Sequence, residues 1–120
     1  MKANELMIGD WCILGNGQYA QIDTVLFKIL LEYEIDGNKN DLRHIPLTPE
    51  ILEKNGFVAE FASEDYRYDD KMILTQSYDK KGYWWVVGNM YVCQLHYVHE
   101  LQHALRLCGL NELADNFKLQ

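Results

Sequence analysis

The feature that most constrains the fold is a series of short apolar and aromatic segments in the second half of the chain, separated by turn residues. Each segment has the length of a strand and is rich in β-branched or aromatic residues. The loops between the last three contain Asp, Lys, Gly and Asn. Consecutive strands joined by short loops pair antiparallel, so the sequence predicts an antiparallel meander over residues 57–95. Its strands are FVAEFA (57–62), KMILTQSY (71–78), YWWVV (83–87) and MYVCQL (90–95).

The N-terminal region, residues 8–47, is predicted to be a β-hairpin region. A strand over Asp10–Leu14 runs into Gly15-Asn16-Gly17, which is a strong hairpin signal. The apolar segment Gln18–Ile35 is rich in β-branched and aromatic residues, and predicts two strands or one bent strand. Residues 41–47 should be extended, because Pro46 disfavours helix at the residue before it.

Two helices are predicted. Thr48 is a good N-cap, Pro49 suits the first helical position and Gly56 suits the end, which predicts a short helix over 48–55. A longer C-terminal helix is predicted over 96–108, ending at Gly109, with one more helical turn at residues 111–115. The fold class is therefore α+β.

Residues 1–120 are expected to form a single domain. The segment from Ile8 to Leu26 resembles the opening hairpin of a small SH3-like barrel, so a barrel-type closure of the sheet is one expectation and an open meander is the other.

The composition indicates which kinds of partner the protein can bind and in which cellular compartment it resides. The net charge of −7 disfavours binding to nucleic acid, which requires clustered Lys and Arg. Cys12, Cys93 and Cys108 form no CxxC pair, and we expect reduced, mostly buried thiols. The N-terminus has no apolar segment typical of a signal peptide, and no stretch approaches a membrane span. These features predict a cytoplasmic protein that binds no membrane.

One motif has the pattern of zinc peptidases. In the helix YVHELQHALRLCG, His99-Glu100-x-x-His103 places two histidines one helical turn apart, where both can reach one zinc ion. Glu100 would then act as general base on a zinc-bound water. A third protein ligand is required, but Arg106 and Gly109 occupy the metzincin positions, and His44 is a candidate only from a distance.

The same helix has a simpler interpretation as a structural element. At about 100° per residue, its apolar side chains fall on one face, which should pack on the sheet. His96, His99 and His103 fall on the opposite face and are expected to point outward, where they can bind metal adventitiously. The apolar face consists of Leu95, Val98, Leu101, Leu105 and Cys108.

Three segments in this order, ELMIGDW, IPLTPEILEKNGF and YVHELQ, resemble a group of uncharacterised short proteins of Bacteroides-type gut bacteria and their phages and mobile elements. The resemblance covers nearly the whole chain. The group has no established activity. The resemblance implies that positions 97–99 and 101–102 are typical of the group, whereas Gln and Asn are common at the positions of Glu100 and His103. The zinc-peptidase pattern would then be incidental.

The predicted function is a non-enzymatic accessory or protein-interaction module, of phage or mobile-element origin, with no cofactor. The aromatic content supports this expectation, with eight tyrosines and three tryptophans. Trp84 and Trp85 are adjacent in a predicted strand and must face opposite ways, so one of them is a candidate interface residue. The alternatives are a minimal zinc metallopeptidase using His99, Glu100 and His103, and a nucleic-acid-binding small barrel.

Overall fold

The computed structural model describes residues 1–60, 65–77 and 81–120. It has an α+β fold, in which a five-stranded antiparallel sheet, a separate two-stranded hairpin and helices are combined. In chain order the elements are a 3-10 turn (Ala3–Glu5), β1 (Trp11–Ile13), β2 (Tyr19–Gln21), α1 (Thr24–Ile35), α2 (Pro49–Lys54), β3 (Val58–Ala59), β4 (Asp65–Tyr68), β5 (Met72–Gln76), β6 (Tyr83–Val87), β7 (Met90–Leu95), α3 (Val98–Leu107) and α4 (Asn111–Asp115).

The predicted meander is confirmed as the sheet β3-β4-β5-β6-β7, in which neighbours in sequence are neighbours in space. The sheet is not closed, so the predicted barrel-type sheet is wrong: β1 and β2 pair with each other and not with β3–β7. The sequence prediction also missed β4, because its residues alternate charged and aromatic side chains. The predicted strand ends at Phe61–Ala62 and at Tyr78 lie outside the described residues.

The prediction for residues 18–35 is wrong beyond its first few residues. After β2 the chain forms helix α1, with Asp23 as N-cap accepting a hydrogen bond from the Leu26 N–H at 2.7 Å. The cap stabilises the first turn, and burial of Leu30 against the rest of the chain adds to it, so the helix forms despite the β-propensity of its isoleucines and aromatic residues. The predicted β-hairpin region therefore contains one hairpin and one helix.

The predicted helices are confirmed. Thr48 caps α2, Gly109 follows α3 with a positive φ of 77°, and the predicted extra turn is α4. The apolar face of α3 packs on the sheet as expected, because Val98, Leu101 and Leu105 are buried in one cluster with the inward side chains of β5, β6 and β7. That inward set is Met72, Leu74, Tyr83, Trp85 and Leu95.

A second, smaller cluster of buried side chains forms around the N-terminus. It contains Ala3, Leu6, Cys12, Ile22 and Leu30, which come from the 3-10 turn, β1, α1 and the residues directly after the 3-10 turn and β2. Among the described residues, no helix is both long and apolar enough to cross a membrane.

Candidate functional site

Glu100, the predicted general base, faces the start of its own helix. Its Oε1 accepts hydrogen bonds from the backbone N–H groups of His96 and Tyr97, each at 3.0 Å. Helix N-termini leave such N–H groups without intrahelical partners, and a Glu at the third helical position commonly satisfies them. The carboxylate therefore has a structural role as a capping group.

His99 is buried, with 5% of its surface exposed, and its ring stacks on that of His44. The ring centroids are 5.1 Å apart with an interplanar angle of 18°, and His44 stacks in turn on Tyr97. Nitrogen lone pairs lie in the ring plane, so two nearly parallel stacked rings do not direct them at one metal ion. Burial lowers the pKa of His99, and the nearby Asp10 opposes that shift.

His103 contacts a buried carboxylate. Its Nε2 lies 2.5 Å from Oδ2 of Asp10, a residue with no exposed surface. Asp10 also accepts hydrogen bonds from the Met7 N–H at 2.8 Å and from an Arg106 guanidinium nitrogen at 2.7 Å. A buried carboxylate requires such donors, because desolvation without them is costly. His103 and Arg106 thus hold the loop before β1 against α3.

Gln102, between the two motif histidines, completes this contact. It has no exposed surface, and its Oε1 accepts the Trp11 N–H at 2.9 Å. Its Nε2 donates to the carbonyl oxygens of Gly9 at 2.9 Å and Ala114 at 2.8 Å. One side chain therefore links α3 to β1 and to α4. We call residues Asp10, Gln102, His103 and Arg106 the polar junction.

The expectation that His96, His99 and His103 all point outward is wrong for His99, which is buried, and incomplete for the other two, which are half-buried. The reason is that α3 packs on both sides: on the sheet through its apolar face, and on the N-terminal segment through the polar junction. Within residues 1–60, 65–77 and 81–120, no three His, Cys, Asp or Glu side chains are grouped so that they could hold a metal ion.

The three cysteines are free. Cys12 is buried, but Cys93 and Cys108 are half-buried, so the expectation of mostly buried thiols holds only at Cys12. Burial, with Asp10 nearby, raises the pKa of the Cys12 thiol to about 11. The thiol is therefore protonated near neutral pH, which is the unreactive form.

The two tryptophans of β6 occupy opposite faces of the sheet. Trp85 lies in the core, with 9% of its surface exposed, and is therefore the tryptophan that faces inward. Trp84 lies on the outer face, half-buried, and its ring packs against Tyr91 of β7 with centroids 5.5 Å apart. Of the two candidate interface residues, the structure leaves Trp84 accessible.

Apolar side chains form a row across the outer face beside Trp84. Ile73, Val86 and Tyr91 are directly paired neighbours on β5, β6 and β7, so their side chains lie side by side. Tyr91 is 65% exposed, whereas Ile73 and Val86 are half-buried. We call Ile73, Trp84, Val86 and Tyr91 the outer patch. The adjacent tryptophans were the sequence signal for the outer patch. That Ile73, Val86 and Tyr91 lie side by side could be known only from the register of the strands.

No protein-family model, curated protein or solved structure matches this chain.

Proposed function

We propose that this protein is a non-enzymatic protein-interaction module, and that the outer patch is its contact surface. The observation that carries the proposal is the row Ile73–Val86–Tyr91 with Trp84 packed beside it. A sheet face that meets water usually carries polar residues at these alternating positions. Contiguous apolar and aromatic side chains on such a face are characteristic of interaction sites.

The residue types also suit a binding surface. Trp and Tyr contribute most of the binding energy at many interfaces, because they bury a large area while losing few rotamers. The Trp84–Tyr91 contact holds both rings in place before binding, which reduces the entropy lost on association.

The charge of the chain indicates the chemistry of the partner. With a net charge of −7, this protein favours at the outer patch a partner with basic residues around an apolar contact. The same charge makes the nucleic-acid-binding alternative the less favoured one. The resemblance described above supports a phage or mobile-element setting, and we propose a cytoplasmic location.

The contacts of the HExxH motif support a structural role rather than the metallopeptidase alternative. Glu100 caps its helix, and His103 is engaged by the buried Asp10. Glu100 would have to leave these partners to act on a zinc-bound water, and Nε2 of His103 would have to leave Asp10 before that nitrogen could bind the metal.

The experiment is a comparative capture from a lysate of the organism that encodes the protein. Wild type, Trp84→Ser and Tyr91→Ser are used as baits, with Tyr19→Ser as the matched control, because Tyr19 is an aromatic residue 45% exposed on β2, outside the outer patch. Captured proteins are quantified by mass spectrometry, and the strongest candidate is purified and titrated by calorimetry.

We expect one basic protein to be retained by wild type and by Tyr19→Ser, and lost with both patch variants. The calorimetric affinity should fall more than about tenfold in Trp84→Ser, as for a residue central to an interface. A partner retained equally by all four baits would contradict the assignment of the surface, and the absence of any specific partner would contradict the function.

A further inference from the structure

Helix α1 exposes much of its apolar surface. Eight of its twelve residues are apolar, yet Val25 and Ile35 are 68% and 82% exposed, and Ile29, Leu31 and Tyr33 are 41–44% exposed. A helix that is apolar on nearly every side is normally covered on every side. The side of α1 that is covered within the chain carries Leu30, in the smaller core cluster.

The exposed side has a definite pattern. At 100° per residue, Lys28 and Glu32 lie along its middle. Leu31 and Ile35 form one flank of this charged stripe, and the other flank is formed by Val25, Ile29 and Tyr33. A surface with one basic and one acidic residue between two apolar flanks is complementary to itself, provided that the second copy runs in the opposite direction.

We propose that α1 is a homodimerisation surface, on which the α1 helix of a second copy packs antiparallel about a two-fold axis near residue 30. In this register Lys28 of each copy meets Glu32 of the other. The two-fold axis brings each apolar flank against the same flank of the partner copy, so Leu31 meets Leu31 and Ile29 meets Ile29. On the second flank, Val25 of each copy lies at about the height of Tyr33 of the other, whereas Ile35 lies at the end of the contact.

The charges of Lys28 and Glu32 favour both the antiparallel direction of the second helix and a second copy of the chain as the partner. A parallel pair would place Lys28 against Lys28 and Glu32 against Glu32, which is unfavourable on the apolar side of a helix. The antiparallel pair instead makes two ion pairs at the centre, and partly buried ion pairs of this kind are well suited to fixing a register. A second copy supplies both charges in the required places.

The size of the surface sets the expected affinity. Twelve helical residues span about 18 Å, so a single helix pair buries less than the roughly 1,200–2,000 Å² of a standard interface. We therefore expect a reversible dimer with a dissociation constant on the order of 10–100 µM. The outer patch lies on strands of the five-stranded sheet, to which α1 does not belong. The dimer therefore goes beyond the proposed function, and neither proposal requires the other.

The test is a reciprocal charge exchange followed by sedimentation equilibrium, over concentrations from well below to well above that constant. The variants are Lys28→Glu, Glu32→Lys and the double variant carrying both changes. Both side chains are exposed, so the variants should fold, and circular dichroism checks this. Lys71→Glu, at an exposed lysine in the turn before β5, is the matched control for charge alone, and Trp84→Ser is the control for the outer patch.

We expect wild type, Lys71→Glu, Trp84→Ser and the double variant to dimerise, and each single α1 variant to dimerise more than about tenfold more weakly. An equimolar mixture of the two single variants should form a heterodimer. A wild type that is monomeric at the highest concentration would overturn the proposal. A dimer unaffected by the single variants, or lost in Trp84→Ser, would overturn it by assigning self-association to another surface.

Discussion

Replacing Gln102 with methionine tests the polar junction directly, because Met has nearly the same length and keeps the site filled. The substitution removes three hydrogen bonds of a fully buried side chain, one that Gln102 accepts and two that it donates. Gly9 keeps a partner, since its carbonyl also accepts from Gln21 at 3.2 Å. The Trp11 N–H and the Ala114 carbonyl lose the partner that Gln102 provides.

The expected cost follows from these two groups. A buried backbone donor or acceptor left without a partner costs about 1–3 kcal/mol, so Gln102→Met should lower the free energy of unfolding by about 2–6 kcal/mol. This is a large fraction of the roughly 5–15 kcal/mol by which a domain is stable. With a urea m-value of about 2 kcal/mol per M, the midpoint should fall by about 1–3 M.

The assay is urea unfolding at 25 °C, followed by circular dichroism and by tryptophan fluorescence. Gln18→Met is the control, because Gln18 is exposed and a surface change there should alter stability by less than about 0.5 kcal/mol. If Gln102→Met unfolded at the same urea concentration as Gln18→Met, the contacts assigned to Gln102 would carry no stability and the reasoning would be refuted.

Two further predictions concern the motif residues. Glu100→Ala should cost about 0.5–2 kcal/mol in the same assay, because His96 and Tyr97 lose the acceptor for their N–H groups, whereas Glu100→Gln retains an amide oxygen there and should cost less; equal losses would argue against capping. Burial lowers the pKa of His99 in the folded protein below the ordinary histidine value of 6.5. As the pH falls below 6.5, the unfolded chain therefore binds a proton at this residue more readily than the folded protein does. The stability that neutral His99 contributes is present above pH 6.5 and is lost as the pH falls through the lowered pKa. The wild type should therefore lose more stability than His99→Gln between pH 7.5 and pH 5.5, and parallel losses would contradict the burial of the neutral ring.

Much of the fold could be predicted, because local signals agree with the final structure there. Thr48 and Pro49 define the start of α2, and Gly88-Asn89 marks the turn between β6 and β7 of the meander. Helix α1 was missed because β-branched and aromatic residues dominate it, although Asp23 is a capping residue and Lys28 and Glu32 have helical spacing. Propensity is a weak guide where a cap and tertiary packing act against it.

The environment of the HExxH motif could not be predicted, because its partners are far away in sequence. Hydrophobic periodicity correctly placed Leu101 and Leu105 in the core. It placed the histidines in solvent, since it treats every polar side chain as exposed. Asp10 lies 93 residues from His103, and nothing local indicates that the two meet. A buried polar contact of this kind is visible only when the pairing partner is known.

The central claim is that the HExxH residues serve the fold and not a zinc ion. The most direct test is metal content by elemental mass spectrometry, on tag-free protein purified without added metal or chelator, beside His99→Ala and His103→Ala. We predict far less than one zinc per chain in the wild type, with no further loss in either variant. Near-stoichiometric zinc in the wild type that disappears in both variants would contradict the account.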